Sequence, residues 1–300
     1  SAPTIENTLK ALELSGDALS KVSAIFWCRA GAHTNPDIQA LERQIAPKMS
    51  RHFSAMYMNA ALFGRIDALY ADREKLALDP ETLRVLEKTW KRFVKAGAKL
   101  DETGKTRLAQ IGERLATLGA QFGQNVLGDE ASWSLLLDSG ADLDGLPEFL
   151  IDAMAEAAKT RGAEGRYAVT LSRSIIEPFL TFSSRPDLRA QAFEAFAKRG
   201  ENGGDTDNAE IVRETLALRA EKAALLGYDT YAAFKLDDTM AKTPSNVMDL
   251  LLPVWEKARE KAAADKAELQ RVAAASGSND PIAAADWRYW QEKLRAEKFA

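Results

Sequence analysis

Runs of alanine, leucine, glutamate, lysine and arginine, with apolar residues at helical spacing, recur along this 300-residue chain. They leave little room for any fold but a helical one. Thr243-Pro244 opens one such run, which ends at ASGSND (275–280) and has Pro253 as an expected kink. The first half reads the same way. Ile5, Leu9, Leu12, Leu19, Val22 and Phe26 keep close to a helical period, interrupted near Gly16. Asn35-Pro36 predicts a helix start, followed by a stripe of Ile38, Leu41 and Ile45, with Pro47 expected to kink or divide the helix. Asp79-Pro80 predicts another, carrying Leu83, Leu86, Trp90, Phe93 and Val94. A further helix from about Glu102 carries Leu108, Ile111, Leu115, Leu118 and Phe122.

Residues 132–182 break this pattern. WSLLLD, RYAVTLSRSII and FLTFSS are short, rich in β-formers and bounded by Gly, Pro and Asp, whereas LPEFLIDAMAEAAKTRG is a plain helix stopped by Gly162. Two or three short strands flanking one helix are expected there. Helical signals then resume. One helix is expected over Asp187–Lys198. Asp207 with Glu210 makes a capping-box-like start for a second, closed by Gly227. Asp286 is the expected N-cap of a last helix carrying Trp287, Trp290 and Leu294, with no Gly, Pro or turn residue before Ala300. The sequence thus predicts a mainly α, multi-helix lobe: helices over about 4–130, a small β plus helix element over about 132–182, and helices over about 187–300 that run off the C-terminus. No repeat of 20–50 residues speaks for a solenoid.

Charge excludes several classes of partner. The net charge is −4, and the 40 basic residues are interleaved with 44 acidic ones, so neither nucleic acid nor an anionic membrane has an electrostatic case. No stretch approaches the roughly 20 apolar residues that span a bilayer, and SAPTIENTLKALELSG does not read as a secretory signal.

Candidate reactive residues are few. Cys28, the single cysteine, lies in AIFWCRA and is expected to be a buried, inert thiol. His33 and His52 lack the carboxylates and the spacing of a zinc site or a catalytic triad. GDTDN (204–208) fails the calcium-loop template, because Glu210 and Leu216 stand where Gly and Glu belong. Asp237-Asp238 is read as a solvated helix face, since neighbours on a helix diverge by about 100°. Trp255, Trp287, Tyr289 and Trp290 lack the basic stripe of a nucleic-acid stacking platform. No catalytic, cofactor-binding or metal-binding residue is assigned.

PTIENTLKALELSG, AHTNPDIQALERQIAPKMSRH, NAALFGRIDALY, RFVKAGAKL, LGAQFGQNVLGDE, RAEKAALLGYDTYAAFKL and MAKTPSNV occur in this order. Together they make the chain resemble the N-terminal half of the thimet oligopeptidase/neurolysin family of zinc metallopeptidases, with AHTNPDIQ, FVKAGAKL and MAKTP reading like the bacterial peptidyl-dipeptidase (dipeptidyl carboxypeptidase) branch. The resemblance implies that one Zn²⁺, its His-Glu-x-x-His helix and its further glutamate ligand belong to a C-terminal catalytic lobe beyond position 300. It also implies a further helical stretch upstream, so the chain is expected to be cut from a longer protein at both ends. The lobe seen here would wall a narrow channel for short peptides, pack against that catalytic lobe through an apolar patch, and be inactive alone, in a cytoplasmic enzyme. Removal of C-terminal dipeptides is the expected activity. An endo-acting oligopeptidase and a free-standing helical scaffold or peptide-binding module are the alternatives.

Overall fold

Local capping chemistry sets several helix starts in the computed structural model, which describes residues 1–33, 35–138, 140–201 and 203–299. The chain divides into two compact units. The first comprises Ser1–Gly112 with Ala220–Lys242, and the second Glu113–Arg219 with Thr243–Ala300.

In the first unit, Thr4 and Asn7 form a reciprocal cap, with each backbone N–H donating to the other's side chain (2.8 and 3.1 Å). A π turn at Ile5–Lys10 leads into α1 (Ala11–Leu14), and Gly16 (φ +79°) breaks the chain before α2 (Asp17–Ala32). Next come α3 (Pro36–Tyr57) and α4 (Ala60–Ala71), whose Asn59 cap accepts from the Leu62 N–H at 2.9 Å. The α3 helix is not divided at Pro47, whose side chain lies outside the described residues. Asp79 caps α5 (Pro80–Lys95) by accepting from Glu81 and Thr82 N–H, both at 3.0 Å. Leu9, Phe63, Ile66, Leu69, Leu86 and Phe93 form the core of this unit, so the expected α5 stripe does face inward. Beside it Tyr70 stacks on Trp90 at 3.9 Å, and the indole donates to Asp67 at 2.7 Å. The first part of α6 (Glu102–Ser132), the end of α10 (Ala209–Leu225) and α11 (Tyr231–Leu236) complete the unit.

The second unit holds the β element. Strand β1 (Ser134–Leu137) pairs antiparallel with β2 (Tyr167–Thr170), in a register that sets Ser134 opposite Thr170 and Leu137 opposite Tyr167. Helix α7 (Glu148–Lys159) packs on β2, and Gly162 (φ +76°) follows it as expected.

FLTFSS departs from expectation, because Phe179–Phe182 belongs to α8 (Arg173–Phe182) and not to a third strand. Short apolar runs do not separate a buried strand from a buried helix. Ile175, Ile176, Phe179 and Leu180 form a helical stripe that is buried against Leu137, Leu150, Met154 and Val169, and this burial carries the helix through Pro178.

Helix α9 (Pro186–Ala197) follows. The capping box expected at Asp207 and Glu210 does not form. The Asp207 carboxylate accepts from the Ala209 and Gly203 N–H groups instead, and Glu210 pairs with Arg213. The loop closes here because Asn208 is held elsewhere, its buried amide donating to Phe122 O at 3.3 Å and accepting from Asn125 at 2.9 Å. Helix α12 (Pro244–Ala275) runs on past Pro253, and its C-terminal end packs with α13 (Trp287–Phe299) through Leu269, Val272, Ile282 and Trp290. Asp286 precedes α13 as expected, but its carboxylate is engaged by Arg189.

Candidate functional site

The first unit holds a cluster of ionisable side chains whose proton affinities are shifted by burial and by several partners at once. It is built from α5 and the segment 228–238. Gly227 (φ +81°) lets the chain turn after α10, so that Tyr228 N–H reaches Ala223 O at 2.9 Å. Thr230 then caps α11 by accepting from Ala233 N–H at 3.0 Å. That short helix ends at Leu236 and presents Asp237 and Asp238 to Lys91 and Lys95, one turn apart on α5. Lys91 donates to Asp237 Oδ1 at 2.9 Å, Tyr228 Oη donates to Asp237 Oδ2 at 2.8 Å, and Lys95 donates to Asp238 Oδ1 at 2.7 Å. Lys95 also lies 4.7 Å from the centre of the Phe234 ring.

The electrostatics follow from this arrangement. Burial, the hydrogen bond to Asp237 and the two aspartate charges push the Tyr228 phenol up to about 12. Burial pulls Asp237 upward, but hydrogen bonds from Lys91 and Tyr228 and the two lysine charges outweigh it and hold the carboxyl below its usual range. The Lys95 hydrogen bond holds Asp238 below its range as well. Both carboxylates are therefore ionised and engaged at neutral pH, and the phenol keeps its proton. None of the three is poised to exchange a proton with a substrate. The cluster is an ionic clamp between α5 and the 228–238 segment.

This arrangement corrects the reading of Asp237-Asp238 as a solvated helix face. Asp238 is exposed, but Asp237 is half-buried; both lie just past the last turn of α11 and each takes a lysine. Their partners are 146 and 143 residues away in sequence, beyond the reach of any local pattern.

Cys28 is also corrected. It is exposed, because α2 buries none of its residues, and its neighbours Val22 and Ile25 are each 67% exposed. His33 closes α2 and His52 sits on α3 beside Phe53; both are exposed. Among the described residues no three His, Cys, Asp or Glu side chains are grouped so as to hold a metal ion, and no buried polar side-chain atom lacks a partner. The donors present thus do not fit the zinc that the family resemblance implies, and no chemical step is assigned to a metal held by these residues.

A different feature marks the second unit. Met248, Leu251, Leu252 and Trp255 follow one another at i, i+3, i+4 and i+7 on α12 and are 47, 51, 48 and 60% exposed. An apolar helical stripe left open in this way is the kind of surface that a partner covers.

Known proteins place the chain. The model of peptidase family M3 matches residues 179–300. A dipeptidyl carboxypeptidase of Salmonella typhimurium is 36% identical over 299 residues, which cover 100% of this chain and 44% of that protein. One from Escherichia coli is 34% identical over 297 residues, covering 99% and 44%. Oligopeptidase A of Escherichia coli is 27% identical over 301 residues, with 99% and 44% covered. The chain spans less than half the length of these relatives. Residues 179–300 thus match peptidase family M3, and the whole chain is similar to dipeptidyl carboxypeptidases and to oligopeptidase A.

Proposed function

We propose that this chain is the N-terminal, channel-forming lobe of a zinc metallopeptidase that removes C-terminal dipeptides from short peptides. The observation that carries the reading is the similarity to dipeptidyl carboxypeptidases along the full chain, combined with coverage of only 44% of their length. In this reading the described residues shape and exclude substrates, and one zinc ion with its ligands belongs to a C-terminal lobe. The open apolar stripe of α12 supports packing against that lobe. No helix of the described residues is long and apolar enough to cross a membrane. A cytoplasmic location goes with the proposal, since a single exposed cysteine suits a reducing compartment.

The test compares the 300-residue chain with the protein extended to the length of its relatives. A short blocked peptide with a free C-terminus serves as substrate, and metal content is measured in parallel. The extended protein is expected to release dipeptides, contain stoichiometric zinc and lose activity to a chelator, while the chain alone does none of these. Hydrolysis or tight zinc binding by the chain alone would overturn the division of labour. Oligopeptidase A among the relatives favours a second reading, an endo-acting lobe. Cleavage of a C-terminally amidated peptide by the extended protein would select it.

A further inference from the structure

Next to the ionic clamp, a groove of about 470 Å³ opens between α5, α11 and the end of α3. Its size is that of a small-ligand site. Lys88, Arg92 and Lys95 line one side from successive turns of α5, Lys235 of α11 lines the other, and the half-buried ring of Tyr57 supplies apolar surface beside the largely buried Phe234. Asp238 is the only acid in the lining, and it is already taken by Lys95. Among the described residues Lys88, Arg92 and Lys235 have no carboxylate partner; Arg92 reaches only the Tyr57 hydroxyl, at 3.4 Å. The excess of positive charge extends behind the groove. Lys222 lies 5.7 Å from the centre of the Phe234 ring, and burial together with the charge of Lys235 lowers its proton affinity. A chain of net charge −4 thus concentrates unneutralised cations around two aromatic rings.

We propose that this groove binds an acidic peptide segment, with carboxylates on Lys88, Arg92 and Lys235 and an apolar side chain against Phe234 and Tyr57. Spacing selects the ligand. Lys88 and Arg92 line the groove from α5 and Lys235 lines it from α11, so the unpartnered cations stand on two walls. A single phosphate or carboxylate brings charge to one point, whereas acidic residues three apart on an extended peptide, about 10 Å, bring it to both walls. The aromatic surface between the cations favours a side chain over a bare polyanion.

The experiment is calorimetric titration of the 300-residue chain with acetyl-Glu-Phe-Ala-Glu-amide, its Gln-for-Glu counterpart, and inorganic phosphate. It reads binding and not cleavage, so its outcome is independent of the proposed peptidase activity. The acidic peptide is expected to bind one to one, at least about tenfold more tightly than the other two, and more weakly as salt is raised. K88E and K235E should each weaken it at least about tenfold, whereas K261E on the exposed start of α12's charged run should leave it unchanged. K235Q, which removes the charge without reversing it, replaces K235E if circular dichroism shows unfolding. Equal binding of the Gln peptide, phosphate binding as tight as the peptide, no response to K88E and the Lys235 variant, or an equal response to K261E would each overturn the proposal.

Discussion

Arg189 and Asp286 are 97 residues apart in the chain, and the guanidinium donates to the carboxylate at 2.5 and 3.2 Å. Arg189 is 2% exposed. It also donates to Ser183 O at 2.6 Å, and its guanidinium lies 4.3 Å from the centre of the Tyr289 ring. A buried cation is tolerated only when its donors are spent in this way. The arginine joins α9 to the turn that begins α13. Arg189→Met is expected to cost about 3 kcal/mol, because Asp286 is left partly buried without its partner. The double variant R189M/D286L should recover most of that loss. Urea unfolding followed by circular dichroism measures both, and equal stability of R189M and the parent would refute the account.

Tyr228 makes a spectroscopic prediction. Its phenol is raised from an ordinary 10.0 to about 12. A raised phenol contributes stability that is fully present below the ordinary value and lost as pH climbs through the folded one. Absorbance at the phenolate band should show one tyrosine ionising near 12, absent from Tyr228→Phe. Stability of the parent should fall faster than that of Y228F between the two values.

Asp237 carries the opposite sign. Its carboxyl is held below the usual range, so its contribution is complete above the unfolded value and disappears as pH falls through the folded one. Asp237→Asn should therefore lower stability at neutral pH and flatten the acid limb of the pH–stability curve. A parallel shift of the whole curve would show that the clamp is not ionic.

Gly145 separates backbone strain from crowding. It sits at φ +82°, and an added Cβ would lie 2.5 Å from Phe182 O. Gly165 has φ +85° with nothing near its missing Cβ. Gly165→Ala should cost about 1 kcal/mol for the left-handed conformation alone, and Gly145→Ala distinctly more. Thermal melts of the two variants test the order.

Cys28 should react with a disulfide reagent in native buffer at the rate of the unfolded chain, since the thiol is exposed. Protection of the thiol would restore the buried reading.

The helices were legible where their signals lie within one turn. Asp79-Pro80, Thr243-Pro244, Gly162 and Gly227 all act through neighbours two to four residues away, and they bound helices in the structure. Phe179–Phe182 was misread because Pro178 and a run of β-formers are local signals for a strand, and only the packing of Ile176 and Phe179 against Met154 and Val169 reverses them. The capping box at Asp207 failed for a similar reason, since Asn208 has its side chain engaged with Asn125, 83 residues away.

The sequence by itself determined that the chain is helical, where most helices start and stop, and which family it resembles, because periodicity, caps and ordered motifs are properties of contiguous residues. The tertiary structure decided which apolar stripes are covered. The α5 stripe is buried around Phe93, whereas α2 and the Met248–Trp255 face of α12 are open. It decided also that Asp237, Asp238 and Asp286 each find a cation and that Cys28 does not find a core. Burial and ion pairing are set by groups that meet only after distant segments pack, and the local sequence carries no record of them.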